Sequence, residues 1–323
     1  MQFYKSIFFI IFITSVFACK GNKSGNNNGT EAKTSKVELS DKAVLDIVCT
    51  TGMIADAVRN VAGNRANVKS LMGPGVDPHL YKATQGDLRK INKADIIFSN
   101  GLKLEGKMEE IFNKLSKKKP VFQITEGFQA SDIIQATYPG TNDASPDPHI
   151  WFSVELWTKA VTNIIKKMVQ LDEKHAAQYT KNGEAYLTKL RQLHEEVKIG
   201  IAGIPEGQRT IITSHDAFTY FGKAYDIEVD ALQGISTVTE FGLKDITNMV
   251  DKIVAKKTKA IFVESSVAPK SIEAVIAGCK KKGQDVKIGG SLFSDAMGEE
   301  GTPEGTYIGM IQHNLKVITE SLK

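Results

Sequence analysis

The chain has 323 residues, of which 24% are charged, with a formal net charge of +4. That length allows two domains of ordinary size, and three cysteines are too few for a disulfide scaffold. The positive charge forms no basic stripe suited to nucleic acid, and the lysines at 117–119 and 280–282 sit near expected helix ends, a structural setting.

Residues 1–18 carry Lys5 and then an apolar run from Ile7 to Ala18, too short to span a bilayer and laid out as a secretory signal peptide. The run ends in Val16-Phe17-Ala18-Cys19, which looks like a bacterial lipobox with Cys19 lipidated after cleavage. An ordinary signal peptide with an incidental cysteine is the alternative. From Cys19 to Asp41 the chain is rich in Asn, Gly, Ser, Thr and Lys and reads as a flexible tether. Beyond it no apolar run is long enough for a membrane span. Cys49 and Cys279 fall in a strand pattern and a helical pattern; buried free thiols are expected, and a disulfide between them stays open.

The remainder alternates strand and helix signals. In the first half, β-rich runs at Val44–Thr50, Val68–Leu71, Asp95–Ser99 and Val121–Ile124 are separated by helical patterns at Met53–Ala62, Thr84–Asn92 and Leu104–Lys118. In the second, runs at Thr210–Thr213, Ile227–Ala231, Ala260–Val263 and Val286–Ile288 alternate with helices at Ala217–Ala224, Glu240–Ala255, Lys270–Lys282 and Thr306–Leu322. This predicts an α/β protein of two similar lobes, each a four-stranded, mainly parallel sheet flanked by helices. The lobes cover 42–171 and 205–323. Between them 172–204 reads as one long linking helix, with Leu187, Leu190, Leu193, Val197, Ile201 and Ile204 as its apolar stripe and Gly183 as a place for a bend. A stiff connection of this kind predicts modest closure on a ligand.

One phrase occurs twice: Asp77-Pro78-His79, inside the tight turn Gly73–Tyr81, and Asp147-Pro148-His149, followed by Ile150-Trp151. Glycines flanking Pro74, and a residue held extended before each second proline, place each histidine on a stiff loop. Ligands of open α/β sheets bind beyond the carboxyl ends of the strands. His79, His149, His215 (after the first strand of the second half) and Asp295 (after its last) all fall there. Three imidazoles and a carboxylate suit Zn²⁺, and a bidentate carboxylate also accommodates Mn²⁺. His175, His194 and His313 lie on helices and read as structural or solvated.

The segments GPGVDPHLYKAT, DPHIWF, SHDAFTYF, ALQGISTVTE, FVESS and GGSLFSDAMG, in this order, resemble the TroA-like metal-binding receptors of bacterial ABC importers. The resemblance covers essentially everything after the tether. It implies two α/β lobes joined by one long helix, with one ion between them on His79, His149, His215 and Asp295. Two departures bear on the metal. Some relatives, usually linked to manganese, carry a glutamate where this chain has His215, and zinc receptors often carry a histidine-rich loop where Ser99–Asp147 has no histidine. Imidazole-rich sites favour Zn²⁺ over Mn²⁺ in intrinsic affinity.

Each imidazole needs a partner for its second nitrogen, and Asp216, Glu240 and Glu264 are the acidic candidates beside motif positions. Trp151 and Phe293 are candidate walls of the cleft. The expected function is extracytoplasmic capture of Zn²⁺ or Mn²⁺ by a membrane-anchored, monomeric solute-binding lipoprotein, periplasmic or at the cell surface. It would deliver the ion to ABC permease subunits. A zinc-dependent hydrolase using the same site is the rival; no His-Glu-x-x-His helix, nucleophile elbow or phosphate loop is present to support an enzyme. A surface adhesin is a third reading, with no motif behind it.

Overall fold

The structure is a computed structural model describing residues 39–137, 144–238 and 241–323. The signal segment, Cys19, most of the tether and Glu240 lie outside these residues. Where a tether through Asp41 is expected, Leu39–Asp41 instead forms a 3₁₀ turn with Leu39 buried. Arg65, itself 4% exposed, holds this turn by donating to the carbonyls of Leu39 and Lys42 while pairing with the buried Asp172 at 2.8 Å.

The first sheet is built from β1 (Leu45–Cys49), β2 (Ala66–Ser70), β3 (Ile96–Ser99) and β4 (Val121–Gln123), all parallel, in the order β2-β1-β3-β4. Its helices are α1 (Gly52–Ala62), α2 (Gln85–Lys93) and α3 (Met108–Leu115). Alternation along the strands divides the side chains between two faces. Ile47, Cys49, Ile96 and Phe98 enter the main core with α1, while Val48 and Ile97 meet Ile91, Met108 and Phe112 on the other face. Thr84 opens α2 with a capping box to Asp87. Lys119 closes it, its ammonium donating to the carbonyls of Ile91, Asn92 and Ala94, so part of the 117–119 lysine run is a helix cap.

A short antiparallel pair follows, β5 (Gln135–Thr137) with β6 (Ala144–Pro146), and then α4 (Val154–Leu171). The sequence reading assigns no element to α4. Its buried Val154, Trp157, Ala160, Val161, Ile164 and Met168 do follow helical spacing, but its many β-branched residues lower helix propensity, which tertiary packing overrides. The long helix α5 (Ala176–Ala202) packs on α1, α4 and the C-terminal helix. It runs unbroken through Gly183, where an added Cβ would lie 2.4 Å from Ile165 Cδ1. The glycine therefore serves close contact with α4 rather than a break in the helix.

In the second half β7 (Thr210–His215), α6 (Thr219–Tyr225), β8 (Glu228–Gln233), α7 (Leu243–Lys256), β9 (Ala260–Glu264), α8 (Lys270–Lys281), β10 (Lys287–Leu292) and α9 (Tyr307–Leu322) follow in turn. The strands are hydrogen-bonded as two parallel pairs, β7 with β8 and β9 with β10, rather than as one continuous four-stranded ladder. Because β7 lies beside β9, the order β8-β7-β9-β10 repeats that of the first sheet. One core runs through α1, α4, α5, α6 and α9 and joins both halves, with a separate cluster under α7 and α8. Cys49 and Cys279 are buried free thiols. Among the described residues no helix is long and apolar enough to cross a membrane.

Candidate metal centre

The carboxyl ends of β2, β7 and β10 and the segment after β6 meet at one point. His79 is delivered by the turn after β2, in which Gly75 takes a positive φ of 69° and Val76 N–H donates to Gly73 C=O. Asp77 Oδ1 accepts the His79 backbone N–H at 2.8 Å, closing a local turn. Asp147 makes the same turn for His149, at 2.9 Å, and the same Oδ1 also takes the ring Nδ1 at 2.7 Å. That segment is clamped from outside: Asn100 Nδ2 donates to Pro148 C=O at 3.0 Å and Tyr220 Oη to Asp147 C=O at 3.0 Å. His215 is the last residue of β7. Glu264, at the end of neighbouring β9, accepts the N–H groups of Ser214 and His215 on Oε1 and places Oε2 2.5 Å from His215 Nδ1.

With Nδ1 of His149 and His215 facing these carboxylates, the Nε2 atoms point inward. His79 Nε2 and His149 Nε2 are 3.3 Å apart. Asp295 Oδ2 lies 3.5 Å from His79 Nε2 and 3.3 Å from His215 Nε2, and Oδ1 lies 3.4 Å from His149 Nε2. A regular tetrahedron of 2.0–2.1 Å bonds has edges of about 3.3–3.4 Å, close to these four separations, and one ligand atom from each residue lies within 4.8 Å of the others. His149 and His215 are fully buried, and Asp295 is 2% exposed. Among the described residues neither Asp295 oxygen receives a hydrogen bond.

The electrostatics point the same way. Burial alone raises the Asp295 carboxyl, but the charge of His215 and the nearness of His149 override it and hold it well below the usual carboxylate range. Burial likewise disfavours a charged His149, yet Asp147 and then Asp295 push it up to about 9. His215 is raised against burial by Glu264 and Asp295. His79 goes the other way, lowered by burial to about 3. With all three rings neutral, the carboxylates of Asp147, Glu264 and Asp295 leave a concentration of buried negative charge that a dication offsets in large part.

Residues 47–321 match the family model described as "ZnuA: Zinc-uptake complex component A periplasmic". The chain belongs to the ZnuA family. Its relatives in that family include the manganese-binding lipoprotein MntA of Bacillus subtilis, 47% identical over 279 residues that cover 86% of this chain and 90% of that protein. The zinc-binding protein TroA of Treponema pallidum is 42% identical over 293 residues, covering 91% of this chain and 93% of TroA. The solved structure of the periplasmic zinc-binding protein TroA from Treponema pallidum superposes with a TM-score of 0.82 at 42% identity, covering 86% of this chain and 99% of that one.

Around this ZnuA-family centre the other candidates fall into three groups. Glu264 stands behind an imidazole. Asp216 instead accepts the Thr219 hydroxyl at 2.5 Å on Oδ1, and Glu240 is outside the described residues. Trp151 sets its ring edge-on to His149, at 5.2 Å between centroids, and donates from Nε1 to Ser294 C=O beside Asp295. Phe293 stacks edge-on with His313 and lines a depression of about 370 Å³ with Pro74, Gly75 and Ser265. His175 is tied to Asp172, His194 to Tyr225 and His313 to Ser291 C=O. The reading of outer partners by nearby acids misses Asp147. It was legible as the Asp of Asp-Pro-His, two residues before the ring it holds.

Proposed function

We propose that this protein captures one divalent transition-metal ion outside the cytoplasm and delivers it to the permease of an ABC importer. The ion is bound by His79, His149, His215 and Asp295, with Zn²⁺ preferred and Mn²⁺ accepted. The observation that carries the reading is the convergence of three imidazole Nε2 atoms and one carboxylate, all within 4.8 Å of one another. The spacing and the nitrogen-rich donor set support Zn²⁺, since imidazole binds it more strongly than Mn²⁺. The two oxygens Asp295 turns to the centre support acceptance of an ion with a higher coordination number.

The family and its relatives carry the names of uptake and metal-binding proteins, which supports a binding module rather than an enzyme. The lobes at 42–171 and 205–323 each supply two of the four ligands, and the helix between them limits closure to small movements. Lipid on Cys19 would anchor a monomer at the membrane, in line with the lipoprotein names of MntA and the manganese ABC transporter substrate-binding lipoprotein PsaA of Streptococcus pneumoniae. Competition titration of the purified protein with Zn²⁺ and Mn²⁺, beside elemental analysis of protein from its native host, tests the reading. Binding of neither ion better than micromolar overturns it, as does robust hydrolytic turnover that His215→Ala abolishes.

A further inference from the structure

The two Asp-Pro-His segments are held to the second half of the molecule by different means. The His149 segment is fastened deep in the shared core: Tyr220 and Trp151 hydrogen-bond across the halves, and Tyr307 Oη donates to Trp151 C=O at 2.7 Å. The His79 turn reaches across through the Asp77 side chain, whose Oδ2 accepts the hydroxyl of Thr237 at 2.5 Å. Thr237 lies in the connection between β8 and α7, and both residues are only partly buried.

We propose that Thr237 is a positioning residue for the first metal ligand. Its hydroxyl latches the His79 turn over the ion from the opposite lobe, and breaking this hydrogen bond is what frees the ion to leave. Asp77 has two oxygens with two tasks. Oδ1 fixes the His79 backbone N–H, and Oδ2 is held by Thr237, so the donor in the other lobe sets the orientation of the whole carboxylate and with it the turn. His149 and His215 have Nδ1 backed by Asp147 and Glu264, whereas among the described residues no carboxylate backs His79 in that way. Its direction therefore depends more on the turn that carries it. Pro74 and Pro78 stiffen that turn, so releasing Asp77 would let it move as a unit about Gly73 and Gly75.

This inference rests on the metal-capture reading, and the test separates the two. Zn²⁺ release from the full chain into excess chelator is followed by stopped flow for the wild type, Thr237→Val and Thr237→Ser. Valine keeps the shape and removes the donor; serine restores the hydroxyl. A lost hydrogen bond to a charged acceptor corresponds to an off-rate raised about tenfold or more in Thr237→Val, with Thr237→Ser within about twofold of wild type. The association rate should change little in either variant, and the melting temperature of metal-free Thr237→Ser should match that of the wild type. Valine and wild type releasing Zn²⁺ at the same rate would overturn the latch, and so would valine and serine accelerating release equally. A wild type that takes up neither Zn²⁺ nor Mn²⁺ sinks the capture reading itself and the latch with it.

Discussion

Two copies of one tripeptide do different work in this protein. Both Asp77-Pro78-His79 and Asp147-Pro148-His149 use the aspartate to close a turn on the histidine N–H, at 2.8 and 2.9 Å. Asp147 goes on to hold its own histidine ring, in a fully buried setting, whereas Asp77 turns its second oxygen to Thr237 in the other lobe. A local motif thus fixes the backbone and leaves the carboxylate's remaining valence to whatever the tertiary structure puts beside it. One copy becomes a rigid half of the site. The other becomes the half that can let go.

The largest contrast is expected on removing the rings. His149→Ala and His79→Ala should each lower Zn²⁺ affinity beyond 100-fold, more than the about 10–100-fold typical of losing an outer partner. Only His149→Ala should also destabilise the metal-free protein, by about 3 kcal/mol at neutral pH, because it leaves the buried Asp147 carboxylate without its ion pair. Chelator competition and thermal melts read the two effects. Equal melting temperatures for the two variants would erase the distinction between the segments.

Next come the aspartates. Asp147→Asn should weaken Zn²⁺ binding about 10–100-fold. Asp77→Asn keeps an acceptor for the His79 N–H and a hydrogen-bonding partner for Thr237, so a loss of only a few-fold is expected. Similar losses in both would mean that the two carboxylates have the same role.

The third contrast is in protons. His149, raised by Asp147 to about 9 from 6.5, is charged at pH 7 in the metal-free protein, while His79, lowered to about 3, is neutral. Zn²⁺ needs neutral rings, so binding at pH 7 should release at least one proton, and affinity should rise about tenfold per pH unit for each proton released. For the metal-free fold the sign is opposite. A raised folded-state value gives stability that is complete below 6.5 and lost as pH climbs through about 9. Calorimetry in buffers of different ionisation enthalpy measures the protons, and Asp147→Asn should reduce their number. The smallest effect is expected from Asn100→Ala, which removes the donor to Pro148 C=O and should lower stability by about 1 kcal/mol in a denaturant melt, with affinity down only a few-fold.

The legible parts of the molecule are those written locally. Turn residues around Pro74 and Pro148, the strand-end positions of His215 and Asp295, and the period of β1 and α5 all follow from short-range chemistry, and the two-lobe α/β fold follows from their alternation. Glu264 is named from the sequence as an acid beside a motif position, and its place at the end of the strand next to His215 makes it the partner. What depends on a neighbour across the fold was not legible. Gly183 reads as a place for a bend until Ile165 is seen against it, α4 hides behind β-branched residues, and nothing near Thr237 announces that its hydroxyl meets Asp77. Lys119, one of a run placed by the sequence near a helix end, closes α2 rather than its own helix because three carbonyls end beside it.

The most direct test is anomalous diffraction at the zinc edge from crystals of the Zn²⁺-loaded protein. A single peak about 2.0–2.1 Å from the Nε2 atoms of His79, His149 and His215, with an Asp295 oxygen about as close, is the predicted result. A peak that leaves out any of the three imidazoles, or lies elsewhere on the chain, would contradict it.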